Sequence, residues 1–173
     1  MDVKVHVGNT TYIESLLLRH ELDVALVEGP IQDTLHLHSE KWIEDQLCVI
    51  SSVRPKHKTP VSLKSLSQKK WIMREAGSGT RSVFETVLKQ KKIQLQSTLI
   101  LGDTEAVKHG VEAGLGISCV SRCTVEREME SGTLFALPVN ESLKRPFFLA
   151  KAKNQYTSKT TKILLSFLRS YPI

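Results

Sequence analysis

The sequence predicts an α/β protein of two lobes in which strands and helices alternate. Two observations carry this. Short apolar runs of strand length, such as Leu47-Cys48-Val49-Ile50, Trp71-Ile72-Met73 and Ile117-Ser118-Cys119-Val120, alternate with stretches whose apolar residues recur every three to four positions. The order is also informative. A strand–helix–strand unit comes first, and a strand–helix–strand–helix–strand unit follows residue 70. Between them lies a basic, proline-bearing break, Arg54-Pro55-Lys56-His57-Lys58-Thr59-Pro60, read as a crossover from one lobe to the other.

In chain order, Val3, Val5 and Val7 alternate with Lys4 and His6, which predicts a strand with one buried face. Gly8-Asn9-Thr10 is a turn and helix cap, followed by a stripe of Tyr12, Ile13, Leu16 and Leu17. Asp23-Val24-Ala25-Leu26-Val27 predicts a parallel strand covered on both faces, reached by a right-handed crossover and ending at Glu28-Gly29-Pro30. Leu35-His36-Leu37-His38 alternates, placing both imidazoles on one strand face. Such a pair can bind a metal but lacks a third ligand, so no metal site is expected. Ser62 to Leu66 is a short helical turn. After the helix beginning near Gly79, Leu99-Ile100-Leu101 is a strand that ends at Gly102-Asp103-Thr104-Glu105, where Asp103 caps a helix stopped by Gly114. Val125 to Met129 is a short helix ended by Gly132. Leu134 to Leu137 and Phe147 to Ala150 are strands, and Tyr156-Thr157-Ser158 caps a last helix with apolar Ile163, Leu164, Phe167 and Leu168.

Composition narrows the classes. With 173 residues, 40% hydrophobic and 24% charged, the chain is long enough to bury a core and is not disordered in character. No apolar run approaches the roughly 20 residues of a membrane helix, and the start lacks a signal-peptide core, so no membrane contact and a cytoplasmic location are expected. The net charge of +6 is scattered and lacks the aromatic interleaving of a nucleic-acid module. Cys48 and Cys119 read as small core residues, and three cysteines without a CxxC pattern argue against a disulfide framework or zinc site. No nucleophile–base pair is evident, so catalytic residues, a cofactor and an enzymatic role are not expected.

The chemistry concentrates in Lys70 to Val87. A buried strand ends at Arg74-Glu75, a turn Gly77-Ser78-Gly79-Thr80-Arg81 follows, and then a helix with apolar Val83, Phe84, Val87 and Leu88. The first N–H groups of a helix are unpaired and lie at its positive end. A small-residue turn there lets an anion approach the backbone, Ser78 and Thr80 add hydroxyls, and Arg74 and Arg81 add positive charge. Ser-Gly-Thr before a helix is also an ordinary N-cap that binds nothing, and these residues alone leave both readings open. The spacing is neither a P-loop nor a dinucleotide fingerprint. Glu28 and Gly29, at the carboxyl end of a predicted strand, and Asp103 and Thr104, at a second helix start, complete the candidate ligand site. Glu28 reads equally as a turn acid facing water.

Three passages resemble the effector-binding domain of LysR-type transcriptional regulators. Val7-Gly8-Asn9-Thr10 through Leu22-Asp23-Val24-Ala25-Leu26-Val27-Glu28-Gly29 looks like the family's helix and its L-D-x-A-(I/L) strand. The segment from Trp71 to Arg81 is similar to a phrase of members tied to carbon fixation and sulfur metabolism. The passage from Ala106 to Ile117 is similar to the family's V-x-A-G-L-G-I segment. The resemblance implies a type 2 periplasmic-binding-protein fold of two Rossmann-like lobes around a ligand cleft, with lobe I at residues 1–50 plus 122–173 and lobe II at 51–121. It implies sensing of a small anionic or carboxylated metabolite in that cleft to modulate transcription, with assembly as a homodimer or tetramer through this domain. Relative to the family's pattern, the winged helix-turn-helix and the opening strand and helix of lobe I are missing. DNA binding is therefore expected only through that absent N-terminal domain, and an apolar face is expected to stand uncovered for a partner chain. Two alternatives share the fold: a transporter's solute-binding protein, or a truncated oligomerisation partner.

Overall fold

A computed structural model describes residues 3–57 and 59–170; Lys58 of the expected crossover lies outside the described residues. In chain order the elements are α1 (Thr10–Leu18), β1 (Ala25–Glu28), β2 (Leu37–Ser51), α2 (Leu63–Leu66), β3 (Lys70–Arg74), α3 (Gly79–Gln90), β4 (Ser97–Leu101), α4 (Thr104–Glu112), β5 (Ile117–Ser121), α5 (Glu126–Ser131), β6 (Phe135–Leu137), β7 (Lys144–Ala152) and α6 (Lys159–Ser170). The chain falls into two compact units, residues 1–44 with 146–173, and residues 45–145. The division expected from sequence, after residues 50 and 121, follows the breaks between elements. The structural boundaries instead fall inside two continuous strands, β2 and β7.

In the second unit β3 runs parallel to both β4 and β5, and β2 pairs antiparallel with β5 and β6. Alternation along β3 sends Trp71 and Met73 to one face, with Phe84 and Leu88 of α3, and Ile72 to the other, with Val107 and Val111 of α4. Trp71 is fully buried; its ring lies 5.1 Å from that of Phe84, and its Nε1 donates to the Leu66 carbonyl. Gly116 must be a glycine, since a Cβ there would come within 2.6 Å of the Lys70 carbonyl oxygen. Cys48 and Cys119 are buried.

In the first unit β1 pairs antiparallel with β7, from Ala25 opposite Ala150 to Glu28 opposite Phe147. Ile13, Leu16 and Leu17 of α1 cover one face of this pair. Several expectations are corrected here. Residues 3–7 form no strand, and Val3, Val5 and Val7 are exposed: alternation specifies a strand only where a neighbour offers a ladder, and none is present among the described residues. The segment at 23–27 is not a parallel strand covered on both faces. Only Ala25 to Glu28 pair, antiparallel, and Leu26 is 44% exposed. His36 lies in a turn before β2, its ring held by Asp33, so it does not share a strand face with His38. In α6 the buried positions are Thr161 and Leu165, while the expected core residues Ile163 and Phe167 are exposed. Leu164 and Leu168 line an open groove of ≈ 430 Å³ with the 3–8 segment, Ile13, Leu22 and residues 24–26.

Candidate functional site

Strand β3 delivers Arg74 to the carboxyl edge of the second unit's sheet. The turn that follows closes with Ser78 N donating to the Glu75 carbonyl, and Gly77 takes φ 89°, a conformation natural to glycine. Ser78 is the N-cap of α3: its backbone is extended and its Oγ accepts from Arg81 N at 3.4 Å. Ser78 and Thr80 are almost wholly buried, and the first turn of α3 contains no acidic residue.

The cations are organised by internal partners. Arg74 grips Glu75 through Nε and Nη2 at 2.8 and 3.0 Å, and its Nη1 donates to Thr104 Oγ1 at 2.8 Å. Arg81 pairs with Glu85 at 2.6 Å and donates to the Arg74 carbonyl at 3.1 Å. The neighbouring helix α4 starts differently. Asp103 caps it, with Oδ1 accepting from Ala106 N at 2.8 Å, and Glu105 adds an acid in the first turn. Arg74, Ser78, Gly79, Thr80, Arg81, Asp103 and Thr104 are thus gathered at two adjacent helix starts. A pocket of ≈ 200 Å³ beside α3 shares only Arg81 with them.

Glu28 and Gly29 belong to the first unit. Glu28 ends β1 and its carbonyl accepts from Thr10 Oγ1, while Gly29 N donates to the Pro146 carbonyl. Among the described residues no group of three or more His, Cys, Asp or Glu could hold a metal ion. Burial pushes the Cys48 thiol up to about 11 and the Cys119 thiol higher still, which disfavours the nucleophilic thiolate in both.

Sequence reasoning missed the partner of Thr80. The side chain of Arg145 is fully buried; its Nη1 donates to Thr80 Oγ1 at 2.7 Å, and its Nε and Nη2 both bond Asp45 Oδ2. Asp45 Oδ1 accepts from Ser121 Oγ at 2.8 Å. No local signal marked the pair: Asp45 follows Glu44 and Arg145 follows Lys144, so each reads as part of an ordinary charged stretch before an apolar strand.

No helix among the described residues is long and apolar enough to cross a membrane. The family described as LysR substrate binding domain matches residues 1–172. The chain is 36% identical over 140 residues to the uncharacterized HTH-type transcriptional regulator YeiE of Escherichia coli K12, covering 80% of this chain and 47% of that protein. It is 25% identical over 173 residues to the HTH-type transcriptional regulator CysL of Bacillus subtilis, covering 98% and 58%. The chain therefore spans about half the length of the curated relatives it matches. Among solved structures, the CcmR regulatory domain of Synechocystis PCC6803 in complex with 2-PG superposes with a TM-score of 0.87 at 28% identity, over 98% of this chain and 82% of that one. The effector binding domain of QuiR in complex with shikimate gives 0.83 at 21% identity, over 95% and 78%, a likeness of fold alone.

Proposed function

This chain belongs to the family of LysR substrate binding domains, and we propose that its effector is a small anionic or carboxylated metabolite held at the N-terminus of α3. It has the type 2 periplasmic-binding-protein-like fold and is the effector-binding domain of a LysR-type transcriptional regulator. The observation that carries the anion reading is the acid-free first turn of α3, with buried hydroxyls at Ser78 and Thr80 and with Arg74 and Arg81 beside it. The ligand-bound CcmR domain, similar over nearly the whole chain, supports a small-molecule effector.

In this reading the backbone N–H groups at Gly79 and Thr80 and the hydroxyls of Ser78 and Thr80 bind oxygen atoms, and Arg74 and Arg81 balance charge. Asp103 and Thr104 border the turn. The role is binding without turnover, in the cytoplasm. Contact with DNA through a further domain and assembly as a homodimer or tetramer are part of the proposal. Isothermal titration with sulfate, phosphate and carboxylate ligands tests the site. Arg74→Ala and Ser78→Ala are each expected to weaken binding about tenfold, the size of one lost charge-assisted hydrogen bond. Unchanged affinity in both would sink the assignment.

A further inference from the structure

The most deeply buried charge in the second unit stands where the chain enters and leaves it. Asp45 lies in β2 and Arg145 in β7, and these are the first and last residues of the unit. Their pair is closed at both ends, with Ser121 Oγ on Asp45 and Thr80 Oγ1 on Arg145. A buried ion pair persists only when its hydrogen bonds are met, and double contact with one carboxylate fixes the plane of the guanidinium. A fixed Nη1 in turn fixes the Thr80 oxygen that it bonds. Lys108 provides the contrast. It is also buried, yet its ammonium joins Glu105, Glu128 and the Thr124 carbonyl and touches no residue of the α3 turn.

We infer that Arg145, held by Asp45 and Ser121, is a positioning residue that sets Thr80 in the effector-binding turn and ties that turn to both connecting strands. This rests on the reading of the α3 N-terminus as the effector site. Through one guanidinium, a ligand that loads Thr80 also loads β2 and β7, the strands along which the chain passes between units.

The test uses the whole 173-residue chain and two readouts. Asp45→Asn keeps shape and removes the charge, and Ser121→Ala removes one bond to Asp45 and serves if Asp45→Asn does not fold. Amide exchange without ligand is expected to quicken about tenfold at Arg81 and Ser82, whose N–H groups bond Ser78, and to stay unchanged through α4. Titration with sulfate, inorganic phosphate and 2-PG is expected to show about a tenfold loss of affinity in Asp45→Asn. That loss shrinks below twofold when both chains carry Thr80→Val, and Thr80→Ser, which keeps the hydroxyl, retains it. Unchanged exchange at Arg81 and Ser82, an equal acceleration throughout the unit, or equal affinity losses with and without the Thr80 hydroxyl would overturn the inference. If the unaltered chain binds none of the three anions, the effector reading fails, while the exchange result still decides the positioning role.

Discussion

Helices α3 and α4 begin side by side, at the carboxyl ends of neighbouring parallel strands whose last residues, Arg74 and Leu101, stand in register. Both starts have a side-chain cap on an extended backbone, so as caps they are equivalent. They differ in charge. The α4 start is served by its own acids: Asp103 holds the Ala106 amide, and Glu105 is engaged with Lys108. The α3 start has a neutral hydroxyl cap and no acid in its first turn; its carboxylates, Glu75, Glu85 and Asp45, are drawn off by Arg74, Arg81 and the buried Arg145 that bonds Thr80. A helix start whose positive end is met by a built-in carboxylate needs no ligand, whereas one met by hydroxyls and cations is complementary to an anion from outside.

The largest expected effect comes from making the two starts alike. Ser78→Asp keeps a capping oxygen but places a carboxylate in the proposed site. Anion affinity measured by titration is expected to fall about 30-fold, roughly 2 kcal/mol, with the thermal midpoint nearly unchanged. A retained affinity would break the comparison. A smaller effect separates capping from binding: Asp103→Ala is expected to cost about 1 kcal/mol in denaturant unfolding while changing anion affinity less than about threefold.

That distinction also explains what could be read from sequence. Caps and stops are local, so Asn9, Ser78, Asp103, Gly114 and Gly132 were legible from a few neighbouring residues. The strand through Trp71 to Met73 was legible because both of its faces are buried and it reads as a continuous apolar run. The Asp45–Arg145 pair joins residues far apart in the chain, and nothing local announces it. Val3, Val5 and Val7, and Ile163 and Phe167, carry correct periodicities that go unused, because period shows which face is apolar but not whether anything covers it.

A smaller effect concerns how α4 is held. The hydrogen bond from Lys108 keeps Glu128 below its ordinary value of 4.5. Burial alone lowers Lys108, but its bonds to Glu128 and Glu105 outweigh that and raise it above 10.5. A depressed carboxylate contributes stability that is present above its ordinary value and lost as pH falls through its lower folded value. Glu128→Gln is therefore expected to lower the thermal midpoint slightly at pH 7, with the difference fading below about pH 4. A difference that persists at pH 3 would assign the effect to packing instead.

The account's central claim is that the start of α3, and not that of α4, receives the effector anion. Backbone amide resonances followed during titration with sulfate and with 2-PG test it most directly. The prediction is saturable shifts at Gly79, Thr80 and Arg81, with those of Glu105 and Ala106 still. Shifts confined to the α4 start, or none at the α3 start at saturating ligand, would contradict it.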